Sequence, residues 1–401
     1  MADGDHLYNT YKPPAQDFVR GEGAYLYTEN GDKYLDFIAG ISVNCLGHNH
    51  PAPKGALKDQ ADKVWHLSGM FQLTEAKKLA KKYCDALPFA GKVFFTNSGA
   101  EALECAMKTA RRYHYDRGDV DRYDIIGFQG AFHGRTFATI NAAGNPKYVK
   151  GFGPTLPGFI NLPFGDHEAL KDAIGPTTAA ILVEPVQGEG GLRPLPTECL
   201  NGLRAMCDEH GILLIYDEVQ CGAGRTGKLF AHQWASNGEP DIMAVAKGVG
   251  GGFPLGACIA REEVAACMVP GTHGSTYGGN PLACAVGNAV WDEISKPEFL
   301  EQVERVSNFL KQQFESLKDE FPDVVTELRG KGLLCGMQLK KPAIDVRRMM
   351  LEKGMLGGSA GENVLRLAPP LIITEDHVRE AAGILRECFT QAQDLDDFVA
   401  P

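Results

Sequence analysis

Five short runs along the chain are apolar at nearly every position: Lys92–Thr96 (KVFFT), Asp124–Phe128 (DIIGF), Ala179–Val183 (AAILV), Ile212–Tyr216 (ILLIY) and Ile242–Ala246 (IMAVA). A strand with one wet face alternates apolar and polar residues. A run without alternation reads as a strand buried on both faces, the habit of parallel sheets covered by helices on each side. Helix-like stretches such as Ala100–Arg117 and Glu198–Glu209 lie between the runs. The pattern predicts an α/β fold: a large domain over 51–288 with a mainly parallel central sheet flanked by helices. From Ala289 the texture changes to a long amphipathic stretch, Glu298–Phe321, then strand-like Leu333–Leu339 and Val364–Leu367, then a helix from Glu375 to about Gln393. Residues 289–401 are expected to form a smaller α+β domain, joined by the N-terminal segment 1–50 through Ala24–Ile38.

Composition narrows this picture without changing it. The 401 residues, 44% hydrophobic and 23% charged, are those of an ordinary globular chain long enough for two domains. A net charge of -11 argues against a nucleic-acid-binding surface. Eleven cysteines without a C-x-x-C pair predict free thiols and a reducing compartment. The opening "MADGDHLYNTYKPPAQ" has no basic segment followed by an apolar one, and runs such as Ile212–Tyr216 are too short to cross a bilayer. A soluble, cytoplasmic protein is expected.

Candidate chemistry lies just past the strand-like runs, where open α/β sheets bind ligands. "GAGRTGKL" satisfies G-x-G-x-x-G through Gly222, Gly224 and Gly227, and nearly satisfies the P-loop pattern, with Leu229 where Ser/Thr belongs. The dinucleotide reading needs the first glycine to follow the strand directly and to open a helix. Instead Asp217–Cys221 intervene. After KVFFT, Ser98 and Glu101 form a capping-box pattern beside Gly99, a helix start that either binds nothing or cradles a phosphate. After ILLIY stands Asp217, and after IMAVA stands Lys247, followed by Gly248, Gly250, Gly251 and Gly252. A lysine there either snorkels to the sheet rim or is desolvated into a nucleophile able to form a Schiff base. Phosphate cradle, strand-end carboxylate and strand-end lysine together are what pyridoxal 5'-phosphate needs: a phosphate site, a partner for the pyridine nitrogen and an amine for its aldehyde.

These residues sit in segments that resemble the class III, fold-type I aminotransferases, most closely their acetylornithine branch. The resemblance runs through "FVRGEGAYLYTENGDKYLDFIAGISVNCLGHNHP" (Phe18–Pro51), "FFTNSGAEALECAMKTAR" (Phe94–Arg111), "GAFHGRT" (Gly130–Thr136) and "VEPVQGEGG" (Val183–Gly191). It continues through "YDEVQCGAGRTG" (Tyr216–Gly227), "AKGVGGGFPLGA" (Ala246–Ala257), "HGSTYGGNPLA" (His273–Ala283) and "LRLAPPL" (Leu365–Leu371). It implies that Lys247 bears the cofactor and moves the proton, and that Asp217 pairs with the pyridine nitrogen. It assigns Gln220 to the phenolic oxygen, Ser98, Gly99 and Ala100 to the phosphate, and Phe132 to the ring face. Thr276 would reach the phosphate of the partner subunit's cofactor, making the active site a property of a homodimer. Arg135 would take the substrate's α-carboxylate and Arg366 a carboxylate of 2-oxoglutarate or glutamate. Glu189 would pair with Arg366 in the other half-reaction, and Ser275 would line the substrate site.

The same resemblance leaves the amino donor among acetylornithine, succinylornithine, ornithine and 4-aminobutyrate. Ile41 stands where the ornithine enzymes place a tyrosine, which favours an acylated donor; relatives on this branch commonly accept N-succinyl-diaminopimelate too. His48 and His50 in "GHNHP" lack further ligands at metal spacing, so no metal is expected. Cys221 reads as a small buried filler. A dinucleotide-dependent dehydrogenase is the remote rival. A non-enzymatic regulator on the same fold would need an added DNA-binding region or a missing lysine, and the chain has neither.

Overall fold

The computed structural model describes residues 6–400, so Met1–Asp5 and Pro401 lie outside the described residues. A seven-stranded sheet organises the chain. Its strands, in chain order, are β1 (Lys92–Thr96), β2 (Asp124–Phe128), β3 (Phe159–Leu162), β4 (Thr178–Val183), β5 (Leu213–Asp217), β6 (Ile242–Val245) and β7 (Gly256–Ala260). They lie side by side as β1-β7-β6-β5-β4-β2-β3. Only β7 runs against its neighbours, pairing antiparallel with both β6 and β1.

The missing alternation in the apolar runs has a direct cause. Ile126, Ile181, Leu214, Met243 and Ile259 belong to one apolar cluster, while their neighbours Ile125, Leu182, Leu213, Ile215, Ala244 and Cys258 belong to another on the opposite face. The second face is covered by helix Gly99–Asp116, which turns Ala102, Leu103, Ala106, Met107 and Ala110 onto it. Burying each large aliphatic contributes roughly 1.5–3 kcal/mol, so neither face tolerates a charge.

Two smaller sheets complete the frame. Phe18–Glu22, Tyr25–Thr28 and Lys33–Asp36 form an antiparallel meander that a C-terminal strand, Met355–Leu356, joins in parallel. Val325–Lys331, Leu334–Leu339, Val364–Leu367 and Gly358–Ala360 form the other. Helices Pro297–Glu320 and Glu375–Ala392 pack on each other beside them.

The glycine-rich stretch opens no helix. Residues after Asp217 follow a chain of turns until a short 3₁₀ segment at Ala231–Trp234, and Gly224 and Gly227 take φ of 85° and 93°. The turn exists to place Arg225, which is fully buried and donates to the carbonyls of Leu333 and Pro369, while Leu333 N–H donates back to Arg225 O at 2.9 Å. His48 and His50 have structural partners as well. His48 Nε2 lies 2.7 Å from Asp36 Oδ2, and His50 Nδ1 accepts from Ala52 N–H at the start of helix Pro51–Ala61. All eleven cysteines are free thiols, and Cys221 is fully buried.

Candidate active site

Five parallel strands deliver the site. β1 runs into Ser98 and the first turn of helix Gly99–Asp116; β2 leads to the loop bearing Phe132, His133 and Arg135. β4 ends against Glu184, β5 ends on Asp217, and β6 passes through Ala246 to Lys247. All of them line one cavity of about 450 Å³ at the carboxyl edge of the sheet, together with Gln220, Val219 and Val43. This is the position where open α/β sheets hold ligands, and the volume suits a small cofactor with a substrate.

Each wall has a physical character. Ser98 caps the helix, its Oγ accepting from Glu101 N–H at 3.3 Å. The expected reciprocal bond is displaced by one residue: Glu101 reaches back to Asn97 N–H at 2.6 Å. The N–H groups of Gly99 and Ala100 therefore stay in the first turn, where a helix offers donors without intrahelical acceptors and a positive dipole end. Val219 presses on Gly99 closely enough that a Cβ there would sit 2.8 Å from Val219 Cγ1.

Lys247 has φ of 50°, a backbone conformation that L-residues rarely adopt and that clusters at functional sites. Burial holds its ammonium below the ordinary lysine range; Arg366 pushes the same way, while Glu189, Asp217 and Glu184 oppose. Asp217 is buried, and its Oδ1 accepts from Val219 N–H at 3.0 Å while its Oδ2 lies 2.8 Å from His133 Nδ1. Burial alone would strip the proton from His133, but the hydrogen bond and charge of Asp217 outweigh it and raise the imidazole's pKa. Glu184 is pushed up to about 8, first by burial and then by the Asp217 charge, against His133 and the N–H groups of Phe132 and Gly188. Gln220 Oε1 and His133 Nε2 are buried with no partner in the protein.

The class-III aminotransferase family profile matches residues 8–389. The chain belongs to the class-III aminotransferases. Acetylornithine aminotransferase 2 of Caulobacter vibrioides is 54% identical over 389 residues, 97% of this chain and 96% of its own. Among solved structures, ornithine aminotransferase from Toxoplasma gondii superposes with a TM-score of 0.91 at 32% identity, covering 97% of this chain and 93% of its own. N-acetylornithine aminotransferase from Stenotrophomonas maltophilia gives 0.83 at 37% identity, covering 94% and 96%. As a class-III aminotransferase the chain works with pyridoxal 5'-phosphate, and its cavity fits that group. It offers free first-turn donors for an anion, a buried carboxylate for a ring nitrogen, an orphaned buried amide at Gln220 and an amine of depressed pKa.

The aminotransferase fold gathers Ser98, Gly99, Ala100, Phe132, Arg135, Asp217, Gln220 and Lys247 around this cavity. It sets others apart. Arg366, on strand Val364–Leu367, is buried and ion-paired with Glu189, beyond the lining yet close enough to act on Lys247. Ser275 and Thr276 line a separate hollow with Glu101 and Glu104; Ser275 Oγ accepts from Gly278 N–H at 2.9 Å, and Thr276 is exposed. Ile41 is exposed within a left-handed turn, Ala39 to Ser42, whose φ values are 49°, 64°, 66° and 64°.

His133, Glu184 and Tyr148 are site residues the sequence reading gave no role. Glu184 was within reach, because it follows the AAILV run just as Asp217 follows ILLIY. His133 stands directly after Phe132 in "FHGR", which puts it within touch of the site without giving it a role, and nothing local marks Tyr148.

Proposed function

We propose that this aminotransferase moves the δ-amino group of N2-acetyl-L-ornithine to 2-oxoglutarate, giving N-acetyl-L-glutamate 5-semialdehyde and L-glutamate. The near full-length similarity to the Caulobacter acetylornithine enzyme carries the choice of donor. That identity, 54%, is far higher than the 32% shared with the Toxoplasma ornithine enzyme.

Pyridoxal phosphate supplies, when bound, an electron sink for the pair left by a departing proton. The first turn at Ser98, Gly99 and Ala100 would hold its phosphate, and Phe132 would cover its ring. Asp217, whose carboxylate His133 fixes at 2.8 Å, would keep a proton on the ring nitrogen. Gln220 would hold the phenolic oxygen. Lys247 would hold the aldehyde through Nζ, and once displaced by the donor's amine its freed Nζ would take the proton from the donor's amine-bearing carbon, a role suited to an amine that burial keeps deprotonated more readily than an exposed lysine. Arg135 has no ion pair among the described residues, so its donors are free for the donor's α-carboxylate. Arg366 is masked by Glu189 while the donor is bound, because the donor's reacting carbon bears no carboxylate, and is unmasked for the carboxylate beside the reacting carbon of 2-oxoglutarate or glutamate.

Two features support a homodimer with shared sites. Thr276 and its neighbour Tyr277 are exposed, and the His66 ring, 5.2 Å from that of Tyr277, belongs to a segment whose Trp65, Met70 and Phe71 are exposed as well. Thr276 then reaches the cofactor phosphate of the partner subunit. Ser275 lines the substrate site in the same way. No helix among the described residues is long and apolar enough to cross a membrane, and a cytoplasmic location is part of the same proposal. The division into a large domain over 51–288 and a small one over 289–401 with 1–50 belongs to the same proposal.

The test is a donor panel with 2-oxoglutarate, following glutamate formation. Acetylornithine should give the highest kcat/KM among acetylornithine, succinylornithine, ornithine and 4-aminobutyrate. Preference for free ornithine or 4-aminobutyrate would overturn the donor and leave the aminotransferase.

A further inference from the structure

Arg135 raises a physical problem that its own segment does not solve. It is exposed, it forms no ion pair among the described residues, and Glu184 and Glu189 are near enough to act on the same surroundings. A long cationic side chain in that setting loses about 2 kcal/mol of rotamer freedom when ordered, and an acidic neighbour could capture it. A carboxylate clamp needs the opposite: an ordered guanidinium whose donors are free.

The ring of Tyr148 meets that need. The Arg135 guanidinium carbon lies 4.0 Å from the Tyr148 ring centroid, within stacking and cation–π range, and 5.4 Å from the Phe132 centroid. Tyr148 stands edge-on to Phe132, with centroids 5.7 Å apart and planes at 89°. Stacking uses the face of the guanidinium and leaves its in-plane N–H donors unspent, whereas an ion pair would spend them. Tyr148 sits in the short helix Pro146–Val149, capped by the Asn145 side chain, which accepts from Lys147 N–H at 3.0 Å. Tyr148 is half-buried.

We propose that Tyr148 is a positioning residue for substrate selection: its ring holds Arg135 ready for the donor's α-carboxylate and couples that clamp to Phe132. The inference rests on the reading of Arg135 given above. It predicts that Tyr148 governs discrimination between a donor with an α-carboxylate and the same donor without it.

The experiment compares acetylornithine with N-acetyl-1,4-diaminobutane, its decarboxylated analogue, as donors to the holoenzyme in single-turnover half-reactions. Tyr148→Ala should weaken acetylornithine by about tenfold in apparent Kd, the size of one good cation–π contact, and leave the analogue unchanged. Tyr148→Phe keeps the ring and should stay within about twofold of the parent for both donors. Equal losses for both donors in Tyr148→Ala would mean general damage to the site and would overturn the inference. So would a Tyr148→Phe variant as impaired as Tyr148→Ala, since the hydroxyl would then be what matters. If the parent enzyme itself fails to use acetylornithine, the proposed function fails first, and the variants are not what decided it.

Discussion

Removing the carboxylate that masks Arg366 separates the two half-reactions. Arg366 is 4% exposed, its Nη1 is bound by Glu189, and its Nε is buried without a partner. In Glu189→Ala the guanidinium is left buried and uncompensated. A hydrogen bond to a charged group contributes roughly 1.5–3 kcal/mol net, which corresponds to roughly a 10- to 150-fold change in an equilibrium constant. A substrate carboxylate arriving at Arg366 then has no internal competitor to displace. Affinity for 2-oxoglutarate and glutamate should rise by about tenfold or more, while affinity for acetylornithine, whose reacting carbon bears no carboxylate to compensate Arg366, should fall. Stopped-flow half-reactions with each substrate measure both constants on the same preparation. Thermal denaturation of the variant checks that the fold survives. If 2-oxoglutarate affinity stays constant, or falls in step with the donor's, Glu189 is not the switch and the ion pair is structural only.

Two further predictions address the catalytic wall. Lys247→Ala should still take up the cofactor at reduced affinity but lose turnover by at least about 10²–10⁴-fold, the worth of a positioned proton-transfer group; near-normal steady-state rates would remove Lys247 from the chemistry. Glu184 keeps its proton in the folded protein up to about pH 8, whereas the unfolded carboxyl releases it near 4.5. Between those values the folded state binds more protons than the unfolded one, so stability falls as pH rises, by up to about 1.4 kcal/mol per pH unit. Glu184→Gln removes that slope, so in cofactor-stripped protein its Tm should drop less than the parent's between about pH 5 and about pH 8. Parallel Tm curves would show that Glu184 is ionised throughout.

Much of the fold was legible because its central strands are buried on both sides. KVFFT and DIIGF are strands as read, IMAVA stops one residue short at Val245, AAILV begins one residue earlier at Thr178, and ILLIY shifts by a single residue to Leu213–Asp217. The two strands that escaped are instructive. Phe159–Leu162 is an edge strand with every residue half-buried, so it carries no full apolar run. Gly256–Ala260 reads GACIA and holds only small side chains around Ile259, yet it is wholly buried between β1 and β6. Its strand character comes from pairing with those neighbours, which composition does not display.

The site divides the same way. Strand-end chemistry exposed Asp217 and Lys247, and the family resemblance located Gln220, Phe132 and both arginines. The partners that give these residues their properties come from far along the chain. His133 is 84 positions from the Asp217 it supports, and Glu189 is 177 from Arg366. Tyr148 reaches Arg135 from a separate short helix, and nothing in "NPKYVK" announces a ring placed under a guanidinium. The glycine pattern at Gly222–Gly227 misleads for the converse reason. Its positive-φ turn serves a buried arginine that ties β5 to the C-terminal sheet, a demand of packing that local sequence renders as a nucleotide fingerprint.

The central claim, transfer of an amino group from acetylornithine through this cavity, is tested most directly by one spectrum. The holoenzyme should show the visible absorption of lysine-bound pyridoxal phosphate, lose it on addition of acetylornithine alone, and regain it when 2-oxoglutarate follows. Retention of that absorption in the presence of saturating acetylornithine would contradict the account.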